Sequence, residues 1–292
     1  MITNNRISVL PFTFAVRFCR DCQIDIFIVP LRTQRHTKMN LIPIEKSRLA
    51  AILILLLSFF GSRAQVDVQL HYDFGRNLYP HSQADRQKVT ATIEQFRPDR
   101  LGSIFYFVDF DFYNAGMKGA YLEFSREFNI KNGFAAHIEY DGGMTTGKHS
   151  EYGSQFQHAL LVGPAYNLAS SDFRRTLSVQ LLYKQYFKGC DNKAYPSFQA
   201  TIVWGLNFGM ADMFTFSGYF DLWRDSTPTG DIRLSLAGEP QFWFNLYSLK
   251  GLEKTGLSVG TEIELSNNFV FPTSGARTFF CNPTIGIKWT MR

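Results

Sequence analysis

SIFYFVDFDF, Ser103 to Phe112, sorts its ten residues into two rows when laid out as a strand, because successive side chains of an extended chain point to opposite faces. Ile104, Tyr106, Val108, Phe110 and Phe112 make a row that is wholly apolar or aromatic. Phe105, Phe107, Asp109 and Asp111 make the other, where rings and carboxylates share one face. A soluble sheet with one wet face would not mix Phe with Asp in this way. The first row asks for an oily surrounding, and the second for a wet one that tolerates rings.

The same division runs through nearly all of the chain from Gln65 onward. In VDVQLHYDF the rows are Val66, Val68, Leu70, Tyr72 and Phe74 against Asp67, Gln69, His71 and Asp73. In SFQATIVWGLNFG they are Phe198, Ala200, Ile202, Trp204, Leu206 and Phe208 against Gln199, Thr201, Val203, Gly205, Asn207 and Gly209. Period-2 alternation bounded by Gly, Asn, Asp, Ser and Pro marks strands, and nothing in this part reads as a convincing helix. About twelve segments result: 66–74, 87–96, 102–113, 118–130, 133–141, 154–168, 174–187, 197–209, 212–224, 231–247, 255–271 and 277–291. The least strand-like is 87–96, whose Gln, Lys and Glu would also suit a helix.

Segments of roughly 10 to 15 residues exceed the five or six usual in globular sheets and suit tilted strands crossing a bilayer. Longer connections (75–86, 142–153, 188–196, 225–230) interleave with tight ones such as NIKNG at 129–133 and GMAD at 209–212. A transmembrane barrel has this pattern, with short periplasmic turns and longer outer loops. YSLKGLEKT, long where a turn belongs, and 113–118, short where a loop belongs, depart from it. The expected fold is all-β: a transmembrane antiparallel β-barrel of about 12 strands, closed because lipid tolerates no unpaired sheet edge. A soluble β-sandwich is the competing architecture, but it would need a second sheet to cover every oily row.

The segment before the barrel differs in kind. EKSRLAAILILLLSFFGSRAQ has a basic start (Lys46, Arg48), an apolar run from Leu49 to Phe60, and small residues before a cut between Ala64 and Gln65, the pattern of a secretory signal peptide. The apolar run is too short to cross about 30 Å of hydrocarbon as a helix. Met39 opens a leader of conventional length, so 1–38 is read as an over-extended start, 39–64 as signal peptide and 65–292 as barrel, destined for the outer membrane of a Gram-negative-type bacterium. Residues 1–64 hold nine Lys/Arg and three Asp/Glu, leaving 21 basic and 22 acidic groups in the remainder. The basic charge therefore belongs to the leader, and no nucleic-acid partner is expected. Cys19 and Cys22 lack the second pair of a zinc site, and Cys190 and Cys281 show no disulfide-framework spacing.

If the oily row faces lipid, the polar row faces a lumen and carries the function. It collects acids, with Lys184, Arg233 and Lys288 among the few bases. It also carries rings, which expose apolar surface to water without benefit unless a solute uses them. Planar solutes stack on aromatic faces, at about 1–3 kcal/mol per base in nucleic-acid binders, and carboxylates accept hydrogen bonds from sugar hydroxyls. The candidate ligand-binding residues are therefore Phe105, Phe107, Asp109, Asp111, Tyr121, Glu123, His137, Glu139 and Trp243, in contact with a small hydrophilic solute. A general porin lumen without a dedicated ligand is the plainer alternative, and a barrel without transport, either a surface-binding protein or a hydrolase using His137, is the other.

HIEYDGG puts His137, Glu139 and Asp141 in one row, which raises a metal site or a rim hydrolase. Neighbours on one strand face stand about 7 Å apart, too far for a single strand to close a tetrahedral site. No Ser or Asp spacing singles out a triad with His71 or His137, so no catalytic residue, metal or cofactor is expected. Arg126 falls in the oily row of GAYLEFSREFNI. A lipid-facing Arg costs roughly 2–4 kcal/mol at midplane and little near the interface, which predicts a place at the periplasmic rim.

VDVQLHYDFG, GSIFYFVDFDF, GAYLEFSREF, HIEYDGG and the closing PTIGIKWTM resemble, in pattern and order, the Tsx-type nucleoside-specific channels. They are more similar still to an uncharacterised outer-membrane family grouped with those channels. The resemblance implies a twelve-stranded monomeric barrel whose narrow lumen passes nucleosides. It carries over no ligand residue position by position, and the ending Trp289-Thr290-Met291-Arg292 departs from the aromatic last residue usual for such barrels.

Overall fold

The computed structural model describes residues 12–18, 24–30, 65–114, 116–145, 157–189, 193–226, 232–270 and 275–291. The expected signal peptide lies outside the described residues, as do Cys19, Cys22 and Cys190. Two compact units are distinguished, Met1–Gly61 and Ser62–Arg292. In the first, β1 (Phe12–Phe18) and β2 (Ile24–Pro30) pair antiparallel.

The second unit is the barrel. Its strands are β3 (Gln65–Asp73), β4 (Val89–Asp99), β5 (Gly102–Tyr113), β6 (Gly116–Lys131), β7 (Phe134–Thr145), β8 (Ala159–Ala169), β9 (Arg175–Tyr186), β10 (Tyr195–Phe208), β11 (Phe214–Ser226), β12 (Ile232–Gly238), β13 (Gln241–Asn245), β14 (Leu257–Asn267) and β15 (Phe279–Met291). Each pairs antiparallel with its neighbours, and β15 pairs back with β3, so no edge is left open. β12 and β13 share one place between β11 and β14, which gives twelve staves. The break falls at Glu239 and Pro240, where proline has no N–H for a ladder. The flanking groups stay paired: Glu239 N–H donates to the Tyr219 carbonyl and Ile263 N–H to the Pro240 carbonyl, both at 3.0 Å.

The expected segments are these staves, including 87–96, which is strand and not helix. Most of the longer connections, beginning with 74–88, leave one end of the barrel and most of the short turns leave the other; the departures seen in the sequence persist, since 246–256 is long at the turn end and β5 runs into β6 with a short link at the loop end.

Burial is the reverse of a soluble barrel. Outward residues such as Leu70, Ile138, Leu181, Ile202, Leu222 and Ile287 are apolar and exposed, while inward His71, His137, Asp141, Gln180, Asn282 and Thr284 are polar and buried. Outward aromatics gather at both ends, with Tyr72, Phe112, Tyr183 and Phe279 towards the loops and Phe128, Phe134, Phe242 and Trp289 towards the turns. Paired aromatic girdles flanking an apolar band mark a transmembrane barrel.

Ring packing inside the wall depends on two inward glycines. A Cβ on Gly260 would sit 2.7 Å from Trp243, and one on Gly286 would sit 2.8 Å from the His71 ring. Each glycine thus leaves the space into which its neighbour's ring lies, and the two rings meet edge to face at 5.5 Å.

Arg126 faces outward near the turns, as its position in the oily row predicts. Its guanidinium is held by both oxygens of Asp99, at 2.6 and 2.9 Å, and lies 5.0 Å from the Phe128 ring centre. Asp99 ends β4 at the rim, so the charge is neutralised there by a partner on the adjoining turn.

Candidate functional site in the barrel lumen

β5 delivers the first candidates from the turn end to the loop end in the order Phe105, Phe107, Asp109, Asp111. Register across β5 and β6 sets Tyr121 opposite Asp109 and Glu123 opposite Phe107. The rings form a ladder, Phe105 to Phe107 at 6.0 Å and Phe107 to Tyr121 at 5.9 Å. Tyr121 donates its hydroxyl to Glu123 at 2.8 Å, and Thr92 and Thr90 donate to Asp109 and Asp111. The structure therefore brings together six of the nine expected lumen residues on two neighbouring staves.

The β7 candidates are engaged with one another. His137 lies between Glu127 and Glu139, its Nδ1 3.1 Å from one and its Nε2 3.0 Å from the other. Further along the same face, Asp141 is bonded at 2.9 Å to Lys184, which also reaches Gln199 at 2.8 Å. Carboxylate oxygens of Glu123, Glu139 and Asp141 lie within 4.8 Å of one another.

Trp243 faces inward, but its ring is fully covered at 0% exposure. Lys288 Nζ stands 4.4 Å over it, His71 packs at its edge, and its Nε1–H donates to Gln241 at 2.9 Å. In this arrangement it braces the wall and offers no face for a solute to stack on, unlike the expectation from its row alone.

Open space lies elsewhere. A cavity of about 500 Å³ occupies the turn end, walled by Asp67, Glu94, Asn207, Ser217, Gln241 and Lys288 among others. These groups come from β3, β4, β10, β11, β13 and β15, so the space reaches across the barrel. Asp67, Glu94 and Lys288 were legible as lumen residues from alternation. That they bound a cavity was not, because it depends on which staves face each other across the barrel.

At the loop end the mouth is narrowed by the β3–β4 connection. This segment begins with α1 (Gly75–Leu78), one turn of helix, and then folds inward. Tyr79 packs its ring edge to face on inward Phe280 at 5.2 Å, and its hydroxyl accepts the Cys281 N–H at 3.3 Å. Gln83 is 2% exposed. Arg86 bridges two staves, with Asp73 on β3 at 2.8 Å and a two-point contact to Glu264 on β14 at 2.9 and 3.2 Å. Burial works against that guanidinium's charge, but Glu264 and Asp73 more than offset it and hold its pKa above the ordinary range. Of the longer connections 142–153 and 188–196, residues 146–153 and 190–192 lie outside the described residues. Among the described residues the connection that folds inward is 74–88, and no signal in its own residues announces it, since its anchors on β14 and β15 lie some two hundred positions away.

The solved structures to which the chain is similar share little sequence with it. The KdgM porin is 10% identical, with 78% of this chain and 99% of the porin covered at a TM-score of 0.42. LpxR from Salmonella typhimurium is 9% identical, with 77% and 99% covered at 0.42. The outer membrane channel DcaP of Acinetobacter baumannii is 9% identical, with 78% and 96% covered at 0.33. No curated protein matches the chain. Residues 64–291 match the family model described as a domain of unknown function, DUF5020, and the chain belongs to that family.

Proposed function

We propose that the protein sits in the outer membrane and acts as a passive channel for small hydrophilic solutes, with nucleosides the first candidates. The observation that supports this best is the combination of a closed, oily-sided barrel with an interior of buried polar and ionisable groups that opens into a wide cavity at one end. A barrel that served only as a membrane anchor would have no need of so many carboxylates inside it, given what burying charge costs. The Phe105–Phe107–Tyr121 ladder supplies stacking faces, and Asp109 and Glu123 beside it supply acceptors for ribose hydroxyls. Hydrolysis with His137 as base is disfavoured, because both its ring nitrogens are engaged by Glu127 and Glu139 and neither is left for a substrate proton.

The test is conductance of the purified barrel in a planar bilayer with nucleoside titration. Current that falls in a saturable way as uridine or adenosine is added supports the nucleoside reading. Current indifferent to nucleosides reduces it to a general porin, and silence across the voltage range overturns the channel.

A further inference from the structure

The mid-height of the lumen carries more carboxylates than the nucleoside reading uses. Asp109, Glu123, Asp141, Asp221, Glu239 and Glu262 come from β5, β6, β7, β11, the β12–β13 break and β14, so they surround the lumen instead of lining one side. Two groups of them are tied together across the space. Glu123 shares its surroundings with Asp141 and Asp221, Glu239 with Glu262 and Asp109, and the Tyr219 hydroxyl stands in electrostatic reach of both sets.

Most of the groups that touch these carboxylates bring no positive charge to balance them. Thr92, Tyr121, Thr201 and Gln241 donate to Asp109, Glu123, Asp221 and Glu262, but each is neutral. The cation at this level among the described residues, Lys184, is committed to Asp141 Oδ2 and Gln199. Asp141 Oδ1, beside Glu123 and Glu139, has no hydrogen-bond partner although the residue is only 4% exposed. Carboxylates this close repel unless a proton or another cation comes between them, and inside a low-dielectric wall that repulsion is strong. Rings stand at the same level: Phe107 opposite Glu123, Tyr121 opposite Asp109, and Tyr219 between the two sets. An aromatic face attracts a cation as well as a planar body.

Resting on the channel reading above, we propose that this ring of carboxylates makes the lumen select cations over anions and gives organic ammonium solutes a binding level at mid-channel. The carboxylates hold the charge and the rings hold the body of the solute. Rings of Asp and Glu select cations in other pores by the same means. Phosphorylated solutes, nucleotides included, are turned away at this level.

Two measurements test it, on wild type and on a variant carrying Asp109→Asn and Glu262→Gln. The first is the reversal potential across a bilayer in a potassium chloride gradient. The second is terbium luminescence sensitised by Tyr121 and Tyr219 in the detergent-solubilised barrel, which reports a cation in the ring without any current. Expected are a several-fold preference for potassium over chloride in wild type, a ratio falling towards one in the variant, and terbium affinity at least tenfold weaker in the variant. A wild-type channel that conducts without preference, or prefers chloride, overturns the cation inference and leaves the channel standing. A silent barrel that still binds terbium in a ring-dependent way overturns the channel and keeps the cation level, and a barrel with neither property overturns both. Should the double variant fail to fold, the wild-type permeability ratio and the single Glu123→Gln variant decide the matter.

Discussion

Arg86→Ala should open the loop end of the barrel. The guanidinium is 6% exposed and answers two carboxylates that are themselves largely buried, Asp73 at 4% and Glu264 at 14% side-chain exposure. Removing one member of a buried ion pair costs about 3–5 kcal/mol, because the remaining charge is left without compensation. Each 1.4 kcal/mol is a factor of ten in an equilibrium, so the cost corresponds to roughly two to three and a half decades. The closed wall cannot relax to relieve it, but the 74–88 segment can swing outward and let water reach both carboxylates. The strain therefore appears as a shift in the loop equilibrium, with the barrel itself intact. Labelling of a cysteine placed at Gln83, 2% exposed in the closed arrangement, measures this directly and should accelerate by about a hundredfold or more in the Arg86→Ala background. Arg86→Lys should recover little, since a point charge cannot make the two-point contact to Glu264 while also reaching Asp73. Equal labelling rates in wild type and Arg86→Ala, or full recovery by lysine, would refute the reasoning.

Two other outcomes follow from the geometry. Trp243→Ala removes a fully covered ring from between His71, Lys288 and Gly260, and the cavity should cost about 3–5 kcal/mol of barrel stability, read as a lower urea midpoint in detergent. Phe105→Ala breaks the end of the ring ladder and should weaken nucleoside block of the current by about 1–3 kcal/mol, roughly five- to a hundredfold, while heat-modifiable gel mobility stays that of a folded barrel.

Alternation made the wall legible because every inward residue is forced by its neighbour's register. Once His71 faces in, pairing puts Thr90 in, then Asp111, and the same parity holds round to Thr284. The β12–β13 break stayed invisible because Arg233, Ser235, Ala237, Glu239, Gln241 and Trp243 keep their parity straight through it. Only Pro240 marked the place where the ladder lapses. Exposure within the lumen was not legible for a related reason. Trp243 and Phe107 read alike in their rows, but one lies over Gly260 of the next stave and is covered, while the other lies against Tyr121 and remains partly open. Row membership depends on the local chain, whereas covering depends on a stave that can be far away in sequence.

The Arg86 bridge also bears on how the barrel is made. Asp73 sits on the first stave and Glu264 on the last but one, and the stave between them, β15, is the one whose pairing with β3 closes the circle. Until that seam zips, the two carboxylates are not neighbours and the arginine has nothing to span. The contact is thus a record of completed assembly: the entrance constricts only in a molecule whose circumference is already whole, and a half-inserted chain stays unlatched.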